Sequence, residues 1–315
     1  MRPAEHTDPG NDFHSGFVAL LGRPNVGKST LLNALVGEEV AITTAMPQTT
    51  RLRMMGVVHR PGYQVVLVDT PGIHRTSSGD GQALNRQMNT EALAAAGDVD
   101  IVAMMIEAGG RGFTCQYTGE DEMVLETVRR AGKPALCLAN KIDLLADRQR
   151  LDRVLQGYRE TGLFRRVLPI SALSGEGLPR LLVELAEMLP AGPPYFPAET
   201  ITDQPERLLA AERVRQQVIL HTSQEIPFAT AVVVESFQEK PDITVIQAVI
   251  YTERQSQKGI VIGRGGRRLK TIGTAARRAI EKMLGRRVYL DLRVKVKSDW
   301  TRTAGGLRSV GLETR

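Results

Sequence analysis

Residues 22–30 read GRPNVGKST, between an apolar run at 17–21 and a helical pattern at 30–36. A strand, a glycine-containing turn and a helix start in this order aim backbone N–H groups and the positive end of the helix dipole at one point. The motif G-x-x-x-x-G-K-S therefore predicts a cradle for nucleotide phosphates, with an ordinary strand-to-helix turn as the alternative. The predicted phosphate-binding residues are Gly22, Arg23, Pro24, Asn25, Val26, Gly27, Lys28, Ser29 and Thr30.

A second motif supplies groups for a triphosphate and its metal ion. Residues 69–72 read DTPG and end an alternating run at 63–68. Lys28 is expected to reach the outer phosphates, while the Ser29 hydroxyl holds Mg²⁺ and Asp69 binds that ion through water. The N–H of Gly72 is expected to contact the γ-phosphate. The nucleotide-binding set therefore extends to Asp69, Thr70, Pro71, Gly72 and Ile73.

A site of this type also needs a second magnesium-binding threonine between the two motifs. Thr49 and Thr50 are the candidates, and we assign the role to Thr50. A solvated loop is the alternative interpretation of this pair. The predicted metal ligands are Ser29, Thr50 and Asp69.

The identity of the base is indicated by residues 140–143, which read NKID and follow the apolar run 134–139. The Asp143 carboxylate can accept two hydrogen bonds from guanine, whereas adenine would leave it buried and unpaired. A helix cap of the form Asn-x-x-Asp is the alternative when the motif stands alone. Residues 171–173 read SAL, and a backbone N–H there can bind the guanine O6. The predicted base-binding residues are Asn140, Lys141, Asp143, Ser171 and Ala172.

In this order and spacing, the motifs resemble the translation-factor class of GTPases, and residues 22–30 resemble the Era family of ribosome-assembly GTPases. Ile73 occupies the position where Ras-like proteins carry the glutamine that orients the attacking water. Because isoleucine cannot orient water, we predict slow intrinsic hydrolysis of GTP to GDP and phosphate, with a partner or a monovalent cation as candidate activator.

Asn25 is the candidate ligand for such a cation. In potassium-dependent relatives an asparagine of the phosphate loop binds K⁺, and Asn25 matches that position. An asparagine selected for its turn conformation is the other interpretation. The predicted catalytic residues are Lys28, Thr50, Gly72 and Asn25.

Strand and helix patterns alternate from residue 16 to residue 189, as in a doubly wound α/β sheet. Residues 190–197 read PAGPPYFP, which is too rich in proline for a helix or a central strand. The predicted organisation is a disordered tail at 1–15, a GTPase domain at 16–190, a linker at 191–205, a smaller second domain at 206–300 and a C-terminal tail at 301–315.

The charge changes sign at the linker. Residues 1–205 carry 20 Lys+Arg and 24 Asp+Glu, whereas residues 206–315 carry 21 and 11, a net charge of +10. A basic domain beside an acidic one favours a nucleic-acid partner, although a solvated face or a membrane-surface patch has the same composition.

Elements of the basic domain resemble a KH domain of the bacterial type (type II, α+β), with the order αββααβ and a glycine loop at 263–266. In that family the loop clamps the backbone of about four unpaired nucleotides. One face of the helix predicted after this loop is apolar and should pack inward, and it consists of Leu269, Ile272, Ala276, Ile280 and Met283. The predicted RNA-binding residues are Lys258, Gly263, Arg264, Gly265, Gly266, Arg267 and Lys270.

The resemblance to the Era family covers nearly all of residues 17–312, including the phrases LKTIG at 269–273 and VKVKSDW at 294–300. It implies a cytoplasmic bacterial GTPase, monomeric, that uses GTP, GDP and Mg²⁺. It also implies binding of 16S rRNA near its 3′ end during assembly of the 30S ribosomal subunit. Peripheral association with the inner face of the cell membrane is a trait of the family that no sequence feature explains here.

Cysteine content and hydropathy agree with this interpretation. Cys115 and Cys137 have no pairing or metal-binding pattern, which fits a reducing compartment, and Cys137 lies in a predicted buried strand. No apolar stretch approaches the roughly 18 residues of a membrane span. Two other functions stay open: a binding protein in which GTP is structural, and a phosphotransferase acting on a small molecule, which residues 140–143 disfavour.

Overall fold

The computed structural model describes residues 13–74, 82–109, 119–145, 148–223 and 225–312. These residues form two compact units. The first unit contains the described residues up to 40 together with 53–73 and 92–203, and the second contains 41–52, 74–91 and 204–312. The predicted residues 1–12 of the N-terminal tail and Cys115 lie outside the described residues.

The first unit is built on a six-stranded sheet with the order β2-β3-β1-β4-β5-β6. Its strands are β1 (His14–Gly22), β2 (Met54–Arg60), β3 (Tyr63–Asp69), β4 (Ile101–Glu107), β5 (Ala135–Asn140) and β6 (Arg166–Pro169). Only β2 runs antiparallel, pairing with β3. The central strands are buried almost throughout because helices cover both faces, which explains their unbroken apolar runs.

Four helices lie wholly in this unit: α1 (Lys28–Val36), α3 (Gly119–Ala131), α4 (Arg148–Glu160) and α5 (Leu178–Ala186). Of α2 (Gln82–Gly97), residues 92–97 belong to the first unit and residues 82–91 to the second. The helices α1 and α5 contact β3. Helix α3 contacts β1 and β4, and helix α4 contacts β5 and β6. Cys137 is fully buried in β5, as predicted. The predicted doubly wound sheet is confirmed.

The predicted linker at 191–205 has an irregular conformation, and its residues 191–203 belong to the first unit. The Ser15 hydroxyl donates to the Pro193 carbonyl at 2.6 Å, and the Gln64 side chain donates to the Phe196 carbonyl at 2.8 Å. His14 and Ser15, which the sequence assigns to the tail, are part of β1.

The second unit contains the predicted αββααβ order. Its elements are α6 (Glu206–His221), β7 (Thr230–Glu239), β8 (Thr244–Thr252), α7 (Gln255–Ile262), α8 (Arg267–Leu284) and β9 (Val288–Val296). Strands β7 and β8 are antiparallel, and β9 joins β8 in parallel. Ile272, Ala276 and Ile280 of α8 are fully buried and Leu269 and Met283 pack against the same core, as predicted.

A second hydrophobic cluster in this unit contains the fully buried Trp300. Leu84 and Met88 of α2 and Leu307 and Val310 join it. Within the predicted tail at 301–315, a short helix α9 spans Ala304–Ser309. The described end of the chain is therefore held by apolar packing. No helix in the described ranges has the length and apolarity of a membrane span.

Candidate nucleotide site and nucleic-acid interface

The predicted phosphate loop connects β1 to α1. Asn25 and Gly27 both have positive φ angles, 62° and 102°, so the chain turns sharply before the helix begins at Lys28. A Cβ on Gly27 would lie 2.3 Å from the Asn140 amide nitrogen, which restricts this position to glycine. Asn25 is exposed, and its left-handed backbone suits asparagine. The backbone geometry thus agrees with a loop that presents N–H groups to an anion.

Lys28 is folded over this loop. Its Nζ donates to the carbonyls of Gly22 at 3.1 Å and Arg23 at 2.9 Å, and the side chain is buried. Burial lowers the pKa of Lys28 to about 8, although the nearby Asp69 carboxylate opposes the change. Arg23 is itself held by an ion pair with Asp121 at 2.8 Å.

Two predicted magnesium ligands meet in the first unit. The Ser29 hydroxyl donates to Asp69 Oδ2 at 2.6 Å, and Asp69 is fully buried. Hydroxyl and carboxylate oxygens are the hard donors that Mg²⁺ prefers, so this pair fits the ion. Gly72 lies against the phosphate loop, because a Cβ there would be 2.6 Å from the Pro24 nitrogen. The neighbouring Thr70 hydroxyl donates to the Leu20 carbonyl at 2.7 Å.

The base-binding motifs are joined to each other and to the phosphate loop. Asn140 Nδ2 donates to the Val26 carbonyl at 2.7 Å, and Asn140 Oδ1 accepts from the Ala172 N–H at 2.9 Å. The Ser171 hydroxyl donates to Asp143 Oδ1 at 2.6 Å. Asp143 is exposed, so its carboxylate can contact a base. Three sequence motifs are therefore assembled into one site.

Lys141 completes this edge of the site. Its backbone is left-handed, with φ at 67°, and its ammonium group pairs with Glu107 at 3.3 Å. The hydrogen bond of Asn140 to the phosphate loop thus connects two motifs that lie more than 100 positions apart in the sequence.

Thr50 is the one predicted nucleotide-site residue that belongs to the second unit. The adjacent Thr49 hydroxyl is used inside its own loop, where it donates to the Met46 carbonyl at 2.7 Å and lies 2.7 Å from the Thr44 hydroxyl. The assignment of the metal-binding role to Thr50 stays a prediction.

The sequence analysis overlooked Arg51, which follows these threonines. Its guanidinium is buried and donates to the carbonyls of Thr230 at 2.6 Å, Pro227 at 2.8 Å and Phe228 at 2.9 Å. It also lies 5.7 Å from the centre of the Trp300 ring. Burial, together with the nearby Arg215 charge, lowers the pKa of Arg51 to about 9, so the group stays protonated at neutral pH.

Further contacts hold the same segment. Arg215 donates to the Thr49 carbonyl, and the Gln216 side chain donates to the Thr43 carbonyl at 3.4 Å. Residues 41–52 are thus bonded to α6 and to the turn before β7. The partners are backbone carbonyls, which leave no signal in a sequence.

The predicted RNA-binding loop lies between α7 and α8. Gly263, Gly265 and Gly266 have φ angles of 71°, 58° and 77°, a run that glycine adopts without strain. Arg264, Arg267 and Lys270 are exposed, and Lys258 is half-buried. Helix α8 begins directly after Gly266, which makes no side-chain cap bond to the helix. A helix N-terminus that follows a glycine loop with exposed cations is suited to bind phosphate.

Comparison with known proteins agrees with both sites. A family described as 50S ribosome-binding GTPase matches residues 17–141, and the KH domain family matches residues 225–301. GTPase Era of Geotalea uraniireducens is 45% identical over 302 residues, which cover 96% of this chain and 98% of that protein. The chain belongs to the Era family of GTPases. Era of Stenotrophomonas maltophilia is 42% identical over 300 residues.

Solved Era structures have the same fold. A crystal structure of Era with MgGDPNP and nucleotides 1506–1542 of 16S ribosomal RNA has a TM-score of 0.90 at 36% identity and covers 96% of this chain. Era of Aquifex aeolicus bound to GDP and AlF₄⁻ has a TM-score of 0.88, also at 36% identity. Both match over 100% of their own length. The predicted family, fold class and GTPase activity are therefore confirmed.

Proposed function

We propose that this protein is a GTP-hydrolysing switch that binds single-stranded RNA, namely 16S rRNA near its 3′ end, during assembly of the small ribosomal subunit. One observation supports the proposal most strongly. The hydrogen bonds of Asn140 join the phosphate loop to the base-binding motifs in the first unit. The second unit separately carries a glycine loop with exposed cations.

The roles of the nucleotide-site residues follow from their positions. Nζ of Lys28 exchanges two backbone carbonyls for the outer phosphates. The Gly72 N–H binds the γ-phosphate, and Asp143 binds guanine. Ser29, Asp69 and Thr50 would hold Mg²⁺, which neutralises phosphate charge when it is bound.

The RNA assignment rests on the loop and on relatives. The loop lets phosphates approach the glycines, while Arg264, Arg267 and Lys270 supply cations. Sequencing RNA that is crosslinked to the protein in cells tests the assignment. We expect reads at the 3′ end of 16S rRNA, and an enrichment of unrelated RNA would contradict it.

A protein in which GTP is structural and its turnover is incidental is the second candidate, since Ile73 cannot orient water. Single-turnover hydrolysis with and without a 16S 3′-end oligonucleotide separates the two. The hydrolysis rate of a switch responds to RNA, whereas incidental turnover has the same rate under both conditions.

We further propose that Asn25 binds a K⁺ ion that assists hydrolysis. If Asn25 binds this ion, GTP hydrolysis should be faster in K⁺ than in Na⁺, and Asn25→Ala should abolish the difference. Equal rates in both salts would leave RNA or a ribosomal partner as activator. A cytoplasmic location, a monomeric state and peripheral membrane association stay predictions.

A further inference from the structure

The residue that follows the γ-phosphate motif cannot take part in water chemistry. Ile73 is 3% exposed and belongs to the apolar core of the first unit, and its N–H donates to the Gly22 carbonyl at 3.1 Å. Hydrolysis therefore depends on other residues that organise the surroundings of the γ-phosphate. The next residue along the chain, His74, offers one.

His74 is held on two sides. Asn89 of α2 binds its backbone twice: Oδ1 accepts from the His74 N–H at 3.3 Å, and Nδ2 donates to the His74 carbonyl at 2.9 Å. His74 is 6% exposed, and its Nε2 lies 3.1 Å from Nε2 of Gln48. Because an amide nitrogen is a donor, the imidazole nitrogen accepts in this bond.

Gln48 has a backbone conformation that is uncommon outside glycine. Among the described residues, only Asn25, Gln48, Lys141 and Asp299 are non-glycine residues with positive φ, and the value for Gln48 is 60°. Asn25 and Lys141 belong to the nucleotide motifs. Strained backbone of this kind persists where surrounding contacts fix it, and it concentrates at functional sites. Gln48 is thus a third such residue, and it lies two positions before the proposed metal-binding Thr50.

The two partners are placed symmetrically in the sequence. Gln48 precedes Thr50 by two positions, and His74 follows Gly72 by two positions. Both partners belong to the second unit. One hydrogen bond therefore joins the segment of the proposed metal-binding threonine to the segment that continues from the γ-phosphate motif.

We propose that Gln48 and His74 are a positioning pair for GTP hydrolysis. Their hydrogen bond holds the segment that carries Thr50 and the segment that begins at His74 in one conformation. The proposal rests on the role assigned above to Thr50. Without the bond, each segment samples its own conformations, so that fewer molecules present Thr50 as hydrolysis requires. GDP has no γ-phosphate, and its affinity does not depend on the pair.

The test is a double-mutant cycle on single-turnover GTP hydrolysis, with Gln48→Ala, His74→Ala and the double variant. Each single change should slow hydrolysis by about tenfold, the effect of losing one hydrogen bond. The double variant should be no slower than either single variant, because both remove the same bond. His74→Gln, whose carboxamide oxygen can accept the bond, should recover part of the rate. GDP affinity and Trp300 fluorescence should not change.

A matched control is available in the first unit. Gln64 Nε2 lies 3.3 Å from His59 Nδ1 on the β2–β3 hairpin, so His59→Ala removes the same kind of contact and should leave hydrolysis within about twofold of wild type. Rates within twofold for both single variants, or effects that multiply in the double variant, would overturn the proposal. Thr50→Ala tests the role of Thr50 separately from that of the Gln48–His74 pair. If this change leaves hydrolysis unaltered, the assignment of Thr50 itself fails.

Discussion

The ammonium group of Lys28 has a lowered pKa of about 8 because it is buried. A phosphate against Nζ favours the charged form and raises this pKa, so nucleotide binding near pH 8 should take up about half a proton. Calorimetric titration of GDP in buffers of different ionisation enthalpy measures this uptake. Lys28→Arg stays protonated and should take up none. An uptake that is absent in wild type, or equal in both proteins, would contradict the placement of Lys28 at the phosphates.

The same pKa sets the pH dependence of the ligand-free protein. The pKa of Lys28 in the folded state lies below its ordinary value of 10.5. Between these two values the unfolded state holds more protons, so the free energy of unfolding should rise with pH across this window. Below pH 8 both states are protonated, and the full cost of burying the charge is present.

Asp143 is the residue that we propose to select the base. Asp143→Asn replaces an acceptor with a donor, so that guanine loses two hydrogen bonds and xanthine gains complementarity. GDP affinity should fall by at least about a hundredfold, and the affinity for xanthosine diphosphate should rise. Asp152→Asn, an exposed carboxylate on α4, is the control and should change neither affinity. An undiminished preference for GDP in the Asp143 variant would exclude this residue from the base pocket.

The Arg51 side chain makes a large contribution to holding the segment 41–52 in place. Arg51 binds three backbone carbonyls of the turn at 227–230, and removing the guanidinium leaves these acceptors buried without it. Arg51→Met should therefore lower the free energy of unfolding of the second unit by about 3 kcal/mol. Arg51→Lys should lower it less, because an ammonium group can still serve one or two of the carbonyls.

Trp300 is the single tryptophan of the chain and lies fully buried beside Arg51, so its fluorescence during urea unfolding reports on this unit. Arg302→Met is the matched control: this arginine is exposed, and its pair with Asp299 at 3.3 Å is a surface pair of little value. An Arg51→Met variant as stable as this control would mean that residues 41–52 are held by other contacts.

Much of the molecule could be predicted from the sequence because its site residues carry their chemistry in their side chains. Lys28, Asp69, Asn140 and Asp143 belong to motifs whose spacing already defines a phosphate and base site. The order of strands and helices followed from apolar periodicity and from the proline-rich linker.

Other features left no local signal. Arg51 and Arg215 bind backbone carbonyls far along the chain, and any residue type supplies a carbonyl. Because contacts to backbone carbonyls leave no sequence pattern, the prediction of one continuous GTPase domain included residues 41–52 and 74–91. In the structure these residues pack in the second unit. The short helix α9 was missed because its six residues are stabilised by Trp300 packing rather than by a periodic pattern.

The chain combines two chemistries that should be separable by single substitutions. The nucleotide motifs belong to the first unit, apart from Thr50, and the glycine loop belongs to the second. A change confined to the glycine loop should therefore affect RNA and leave intrinsic nucleotide chemistry unaltered.

Gly266→Asp tests this claim most directly. A Cβ at Gly266 meets no protein atom within 4 Å. Aspartate is one of the few non-glycine residues that adopt a φ near 77°, at some cost in stability, so the variant should fold, while its carboxylate obstructs and repels RNA phosphates. Affinity for a 16S 3′-end oligonucleotide should fall by at least about tenfold, and somewhat less at high salt, because screening weakens only the repulsion. GTP affinity and hydrolysis without RNA should stay at the wild-type level.

Gly285→Asp is the matched control at the other end of α8, with a φ of 64° and equally open surroundings, and it should bind RNA normally. Filter binding of the oligonucleotide to wild type and both variants, each confirmed to be folded, is the decisive measurement. A selective loss in Gly266→Asp with unaltered GTP hydrolysis is the predicted result. Undiminished RNA affinity in that variant would contradict the assignment of the loop at 263–266 as the RNA clamp.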